Sequence, residues 1–292
     1  MKPQIRMPDP DVNSPKESLL DDFLMLGGAL LLFVAILYFG FSFGFEFLLK
    51  KLTPPQERRA FEKIILLMEK QNGDKEKTDA EIKVQKLIDD LVKQWPEAEI
   101  PYASFVWDDA TPNAFAFPGG YIGVTQGLID ATETENELAF VLAHELGHFK
   151  HRHHLQGLSR AVSWAVLQMA FTVGTGSNIS QTAAFNFFEL FSIREHQRDQ
   201  EREADAFGLD LVAKKYGHTR GAIHFFQKMK DQSPENLKLF EKFASSHPLP
   251  EERIEQLQKW SDEKSQNSAK LIPWKAKEKA KPVSVDAGPN PN

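Results

Sequence analysis

The stretch LAFVLAHELGH, residues 138–148, decides the fold of this chain. Its first six residues, 138–143, are apolar on nearly every side of the helix that they predict, which is typical of an interior helix rather than a surface one. Three polar side chains follow in the same helix: His144, Glu145 and His148. Because polar groups in a buried helix are costly without partners, the sequence predicts that these residues have one.

The spacing of these residues indicates a metal site. His144 and His148 are four apart, so both imidazoles project from one helix face, close enough for one ion to bind both. Glu145 can then reach a water on that ion and take its proton, which is the chemistry of the HExxH pattern in zinc peptidases. Thr134 and Glu137 form a capping-box pair just before the apolar run, which favours a true helix. The alternative is two helical histidines hydrogen-bonded to backbone or solvent.

The composition limits the class of protein. The chain has 292 residues, a net charge of −6 and no cysteine. Its length suits one large domain or two small ones, and its acidic balance does not indicate a nucleic-acid partner. Without cysteine, disulfides and thiolate metal sites are excluded, so any zinc must be held by histidine and carboxylate side chains.

One segment near the N-terminus is long enough to cross a membrane. Residues 23–45 carry no charge, and a run of that length spans a hydrocarbon core. We predict a transmembrane anchor at 23–49, in contact with a lipid bilayer, after a disordered tail at 1–22. The alternatives are a buried core helix and a cleaved signal peptide, but a signal peptide has a basic start and a shorter apolar stretch.

Basic residues near the anchor indicate its orientation. Those on its N-terminal side are Arg6 and Lys16, and those on its C-terminal side are Lys50, Lys51, Arg58, Arg59 and Lys63. Because cytoplasmic flanks carry the excess of Lys and Arg, this distribution favours a cytoplasmic catalytic domain in a single-pass protein. The rule weakens for long translocated domains, so the periplasmic or intermembrane side is the alternative.

The rest of the chain indicates an α+β domain at 54–262. Two helical patterns come first, two β-like pieces follow, and helical patterns without strand alternation take the remainder. The first four segments are 54–70, 79–94, 102–107 and 113–124, with a turn predicted at Pro118-Gly119-Gly120. Residues 263–292 contain a Lys-rich stretch and several prolines, and they predict a disordered tail.

A catalytic zinc needs a third protein ligand and one open position for water. His154 has the spacing of the HExxHxxGxxH pattern, but this chain has His151 where that pattern needs a glycine for a sharp turn. The second candidate, Glu201, is four residues before Asp205, so that both face the same way on a helix. One carboxylate can bind zinc while the other holds a ligating imidazole by its second nitrogen. Glu203 lacks such a partner, and the alternative for this segment is a charged, solvated helix face.

Four motifs in order resemble metallopeptidase family forty-eight, a gluzincin group that includes the CAAX prenyl proteases and the mitochondrial overlapping-activity protease. They are NAFAFPGGYIGVTQGL at 113–128, HELGH at 144–148, EREAD at 201–205 and SSHPLPEERI at 245–254. Four ordered motifs are far more specific than HExxH alone, and the resemblance covers 55–262. It implies a mostly helical zincin-like domain, a small sheet that edges the active-site cleft, and one zinc ion per chain.

The resemblance also implies roles that spacing does not show. Glu201 would be the third metal ligand, with Asp205 behind a ligating histidine. His247 and Arg253 would be catalytic residues that line the site and hold the substrate or its oxyanion. The alternative for His247 is a structural residue that precedes a helix.

Asn113, Ala114 and Phe115 would bind the substrate backbone, which would join the sheet as a further strand. The alternative is an ordinary strand beside the core. Other members of the group carry several membrane spans, whereas this chain has one clear span, because the apolar segment 161–176 is short and contains Gln168. The comparison therefore favours a single-anchor protease of membrane or envelope protein quality control over prenyl-peptide processing.

These observations predict a membrane-anchored zinc endopeptidase that hydrolyses protein substrates, with Glu145 as general base. The alternatives are a non-catalytic metal-binding chaperone or scaffold on the same fold, and a zinc hydrolase of non-peptide amides. Region 155–195 is a candidate autoinhibitory segment, because its apolar residues follow the motif. For His151, His153 and His154 we expect a basic helix end, favoured by the helix dipole, rather than a second metal site.

Overall fold

The computed structural model describes residues 19–71, 77–160, 162–163, 166, 197–230, 243–248, 250–263 and 270–274. Most of the candidate autoinhibitory region, nearly all of segment 161–176 and the outer parts of both predicted tails lie outside these ranges. The described chain is mostly helical and contains a three-stranded sheet, which confirms the predicted α+β class.

The helices and strands are, in chain order, α1 Leu19–Lys50, α2 Pro54–Gln71, α3 Asp79–Val92, β1 Ala103–Trp107, β2 Ala114–Phe117, β3 Tyr121–Thr125, α4 Gln126–Ala131, α5 Glu135–Lys150, α6 Arg198–Tyr216, α7 His224–Lys230 and α8 Glu251–Glu263. Local sequence explains several of these limits. The Thr78 side chain accepts the Glu81 N–H and the Glu81 carboxylate accepts the Thr78 N–H, so a capping box begins α3. Gly217, with a left-handed φ of 74°, ends α6.

The sheet has the strand order β1-β3-β2, so that the last strand lies in the middle. β1 pairs with β3 in parallel, and β2 pairs with β3 in the antiparallel direction. The β2–β3 turn contains Gly119 and Gly120 with φ values of 88° and 84°, a conformation that other residues rarely adopt. β2 is therefore an edge strand of this sheet, and it packs against α5.

Helix α5 is the centre of the domain. Every residue from Asn136 to Phe149 is buried, which confirms the predicted interior helix. Thr134 caps it by accepting the Glu137 N–H, whereas the Glu137 carboxylate accepts the backbone N–H of Glu133 instead of completing the predicted box.

Small residues let α5 and α6 pack very closely. A Cβ added at Gly147 would lie 2.7 Å from the Ala204 Cα. One added at Gly208 would lie 3.0 Å from the His144 backbone nitrogen. Because neither glycine carries a side chain, the two backbones approach, and side chains of one helix reach the other.

Helix α1 is long and apolar enough to cross a membrane, by its length and composition. It extends beyond the predicted anchor of 23–49 at both ends. Helix α2 follows after a short turn and is joined to the domain by Arg58, whose guanidinium donates to the carbonyls of Pro101 at 2.8 Å and Gly119 at 2.9 Å.

Glu57 is a buried carboxylate in the first turn of α2. Its Oε1 accepts from the Gly119 N–H at 2.8 Å and lies 2.7 Å from His154 Nε2, and its Oε2 accepts from Arg152 at 3.1 Å. Arg152, which has a left-handed φ of 57°, also donates to the carbonyl of Leu49 at the end of α1. Burial raises the pKa of Glu57, but the imidazole, the Gly119 N–H and the guanidinium together lower it below 4.5. This carboxylate therefore joins the end of α1, the β2–β3 turn and the end of α5.

The last described segment differs from the expected tail. The sequence predicts disorder from residue 263, but residues 270–274 pack on the domain. The Ile272 carbonyl accepts from the Glu135 N–H at 2.8 Å, and the Trp274 side chain is buried in the core. Apolar side chains of this segment cover the start of α5, so the packed domain extends to Trp274.

Candidate metal centre

Four buried side chains, which we call the central cluster, direct donor atoms to one place. They are His144, His148, Glu201 and His247, and one donor atom from each lies within 4.8 Å of the others. All four are at most 1% exposed. Two come from α5, one from α6 and one from the segment before α8, so three parts of the chain meet here.

The separations between these donor atoms are nearly equal. His144 Nε2 lies 3.1 Å from His148 Nε2 and 3.4 Å from Glu201 Oε2, and Glu201 Oε1 lies 3.4 Å from His148 Nε2. His247 Nδ1 lies 3.2 Å from both His144 Nε2 and Glu201 Oε1. Ligands about 2.0–2.1 Å from a tetrahedral zinc ion are about 3.3 Å from one another. The four donors therefore have the spacing of four corners around one ion.

Asp205 and Arg253 support the cluster from behind. Asp205 Oδ1 lies 2.9 Å from His144 Nδ1, which favours the tautomer whose Nε2 accepts an ion. Arg253 donates to both oxygens of Asp205, at 2.7 and 2.8 Å, and pairs with Glu201 Oε2 at 2.5 Å. The family resemblance implies a catalytic role for Arg253, whereas the structure directs its guanidinium to two carboxylates. Arg253 is placed as a positioning residue.

The electrostatics of the cluster favour a bound cation. Burial lowers the pKa of His144, but the Glu201 and Asp205 carboxylates outweigh it and raise that pKa to about 9. Burial raises the pKa values of both carboxyls, yet neighbouring imidazoles and Arg253 hold them below their ordinary values. At His148 burial dominates, and its pKa lies well below 6.5. Two anionic carboxylates thus create a negative potential at the buried imidazoles.

This donor set fits a divalent metal ion. His144 Nε2 faces two other imidazole nitrogens at 3.1 and 3.2 Å, away from solvent. A few shared protons leave some of these buried nitrogens poorly satisfied, whereas one cation satisfies all of them together. Imidazole and carboxylate donors without a thiolate suit zinc.

Glu145 lies beside the central cluster on α5. It is fully buried, and its Oε1 lies 3.4 Å from His247 Nε2. Burial raises the pKa of Glu145, and the imidazoles of His247 and His144 with the Ala116 N–H of β2 lower it only in part. A carboxyl whose pKa is shifted towards neutral is suited to accept and return a proton.

The residues predicted to bind substrate, Asn113, Ala114 and Phe115, lie at the start of β2 and are buried. The Asn113 N–H donates to the Thr125 hydroxyl at 2.8 Å. The Phe115 ring packs over Gly123, where an added Cβ would lie 2.2 Å from it. These contacts lie within the sheet, so a bound peptide would contact the backbone of β2 rather than these side chains.

Three further histidines follow α5 and differ in environment. His154 directs Nε2 to Glu57, so it lies outside the central cluster, as the missing glycine predicts. His153 joins His148 to α6, because its Nδ1 lies 3.0 Å from His148 Nδ1 and its Nε2 lies 3.0 Å from Glu203 Oε2. His151, His153 and Glu203, which we call the lateral cluster, bring donor atoms within 4.8 Å of one another.

Sequence reasoning missed three features of this site. It assigned His247 to substrate, whereas His247 Nδ1 lies among the proposed ligand atoms. It expected a basic helix end at residues 151–154, whereas α6 supplies the carboxylate of Glu203. It gave Glu57 no role, because acidic residues are common in the first turn of any helix.

A comparison with protein families finds one match to this chain. The model of peptidase family M48 matches residues 77–261. That range contains α3 to β3, helices α4 to α7 and most of α8. It also contains every residue of the central and lateral clusters.

Curated relatives are proteases. The mitochondrial metalloendopeptidase OMA1 of Schizosaccharomyces pombe is 32% identical over 168 residues, covering 57% of this chain and 48% of the relative. Metalloprotease YcaL of Escherichia coli is 31% identical over 147 residues, covering 50% and 56%. The beta-barrel assembly-enhancing protease of Yersinia pestis is 29% identical over 175 residues, covering 56% and 35%. The chain spans about a third to a half of the length of these relatives.

Proposed function

The chain belongs to peptidase family M48, and on this premise we propose that it is a membrane-anchored, zinc-dependent endopeptidase. The family makes it a metalloprotease with protein substrates, which agrees with the predicted enzyme class. One observation carries the proposal for the site. His144, His148 and Glu201 converge from two helices beside the buried carboxylate of Glu145.

In this proposal His144, His148 and Glu201 hold the zinc. Bound zinc lowers the pKa of a water and polarises a peptide carbonyl. Asp205 and Arg253 keep the imidazole of His144 and the carboxylate of Glu201 in place. A catalytic site needs an open fourth position, and His247 Nδ1 lies at that corner. Turnover therefore requires the His247 ring to turn away from His144 and Glu201.

Glu145 is the proposed general base. It takes a proton from the attacking water and returns it to the leaving amine. Two features support the role: its burial raises its pKa, and its Oε1 lies on the side of the cluster that His247 occupies. Departure of His247 would leave that carboxylate next to the open corner.

We propose that the substrate binds as an extended strand beside β2. β2 is an edge strand, and an edge offers unpaired backbone groups to an added chain. The start of β2, at Asn113, Ala114 and Phe115, would contact the peptide through its backbone. The Ala116 N–H next to Glu145 supports this direction of approach.

Helix α1 is the proposed anchor of a single-pass protein, with a catalytic domain at 54–262 that also includes residues 270–274. The basic residues after α1 favour a cytoplasmic domain, with the periplasmic or intermembrane side as the alternative. Relatives named for beta-barrel assembly and for mitochondrial proteolysis support a role in quality control of membrane or envelope proteins.

Casein degradation by the purified full-length chain in detergent tests the function. A chelator should stop it and added zinc should restore it. Glu145→Gln should keep its zinc and lose at least about 100-fold in turnover, whereas Glu252→Gln, an exposed carboxylate on α8, should behave as wild type. Normal cleavage by Glu145→Gln contradicts the mechanism. A wild-type chain that binds zinc but cleaves neither protein nor peptide is the non-catalytic scaffold.

A further inference from the structure

The lateral cluster lies beside the central cluster but opens to solvent. The side chains of His151 and Glu203 are 32% and 53% exposed, whereas that of His153 is 5% exposed. The two imidazole rings are nearly parallel, at 15°, with centroids 5.5 Å apart. An ion can therefore reach these donors without passing through the buried central cluster.

The donor atoms of the lateral cluster have the spacing of metal ligands. Glu203 Oε2 lies 3.0 Å from His153 Nε2 and 3.7 Å from His151 Nδ1. These distances lie on either side of the separation of about 3.3 Å expected for two ligands of a tetrahedral zinc ion. Two imidazoles and a carboxylate suit divalent zinc, copper or nickel, and water can complete the coordination.

We propose that His151, His153 and Glu203 bind a second transition-metal ion of the zinc class, and that this ion weakens metal binding in the central cluster. The proposal concerns regulation of the metalloprotease, because excess metal would act through a site separate from the ligands of the first ion. The antagonism rests on the proposed role of His148 as a ligand, whereas binding to the lateral cluster does not.

The antagonism follows from the protons on two facing imidazoles. A neutral imidazole that binds metal through Nε2 carries its proton on Nδ1. Metal on His148 Nε2 therefore places an N–H 3.0 Å from His153 Nδ1, which must accept it. His153 then carries its own proton on Nε2 and donates it to Glu203.

A second ion reverses the state of His153. Metal on His153 Nε2 moves the proton of that ring to Nδ1. Two N–H groups, of His148 and His153, then face each other across 3.0 Å with no acceptor between them. One ring has to turn away, which breaks the second-nitrogen support that orients a ligating histidine.

The two ions should weaken each other equally, because binding linkage is reciprocal. We expect about a 10-fold loss of affinity in each direction, within the roughly 5–150-fold range of typical coupling. The central ion, with its buried donors, should be the tighter of the two.

Titration of the full-length chain with Zn²⁺ alone, read as bound zinc per chain, tests the proposal. Wild type should bind two ions, the second more weakly. His151→Ala should bind one ion, about 10-fold tighter than wild type holds its central ion when zinc fills both sites. Glu201→Ala should bind one ion in the lateral cluster, more tightly than wild type binds its second. His224→Ala, another exposed histidine with a carboxylate nearby, should bind two ions as wild type does.

Each other outcome overturns a defined part of the proposal. A single ion in wild type at saturating zinc, or two ions in His151→Ala, overturns the lateral site. Equal affinity for the central ion in His151→Ala and in zinc-saturated wild type overturns the antagonism. Two ions in Glu201→Ala contradict the central ligand set of the proposed function, which is separate from the result for His151→Ala.

Discussion

Replacing Glu57 by glutamine removes the charge that joins the anchor helix to the catalytic domain. The carboxylate is 2% exposed and contacts three groups of the domain: the Gly119 N–H, His154 Nε2 and the Arg152 guanidinium. Glutamine keeps one acceptor oxygen and places an NH₂ group where the other oxygen was. That NH₂ group must face at least one donor, whichever way the amide is turned.

The expected cost follows from these contacts. A hydrogen bond to a buried charged group contributes roughly 1.5–3 kcal/mol, and loss of one member of a buried ion pair costs about 3–5 kcal/mol. Because one oxygen survives, we expect Glu57→Gln to lower the free energy of unfolding by about 3 kcal/mol. For a domain of this size that loss lowers the melting temperature by about 6–12 °C.

Thermal unfolding of the full-length chain in detergent, followed by circular dichroism, measures this change. The pKa of Glu57 lies below 4.5 in the folded state, so the stabilisation is fully present above the ordinary carboxyl pKa. It is lost as the pH falls through the folded pKa. The difference in melting temperature between wild type and Glu57→Gln should therefore be constant near neutral pH and shrink in acid.

The matched control is Glu62→Gln, an exposed carboxylate on the same helix, which should change stability by less than about 0.5 kcal/mol. Equal melting temperatures of Glu57→Gln and wild type at neutral pH would refute the assigned role of the buried carboxylate. A difference that grows in acid would refute the direction of its pKa shift.

Three further substitutions test the site and its scaffold. Asp205→Asn should weaken zinc binding about 10–100-fold in a chelator competition, because it removes the carboxylate that orients His144. Gly147→Ala should lower stability by about 2 kcal/mol in thermal unfolding, since its Cβ would meet the backbone of Ala204. Thr78→Ala should cost about 1 kcal/mol in the same assay, because α3 loses its capping box.

Controls on matched positions separate these effects from general damage. Asp210→Asn changes a partly exposed carboxylate on the same helix as Asp205 and should leave zinc affinity unchanged. Gly40→Ala adds a Cβ that meets nothing within 4 Å and should not lower stability. Unchanged zinc affinity in Asp205→Asn, or wild-type melting of Gly147→Ala, would contradict the corresponding argument.

Features that depend on neighbouring residues were predictable from the sequence. The interior character of α5 follows from the apolar run at 138–143, and its start follows from Thr134. The helical spacing of Glu201 and Asp205 correctly placed both carboxylates on one face of α6, where they meet His144. Each inference needed only the geometry of one helix.

Features that depend on distant parts of the chain were not predictable. Strand patterns indicated β1, β2 and β3, but not that β3 lies between the other two. The Nδ1 of His247 faces the cluster because of packing around Phe243, whose ring lies against it at 4.7 Å. Glu57 meets its partners 62 to 97 residues later in the chain, and no local pattern marks that encounter.

The left-handed backbone of Arg152 has a consequence for how the membrane and the metal communicate. Glycine would adopt this turn without strain, but it would carry no guanidinium to bind Leu49 and Glu57. One residue therefore both reverses the chain before His153 and senses where the anchor ends. A shift of the bilayer around α1, such as thinning or tilt, would reach the imidazole behind His148 through a single side chain.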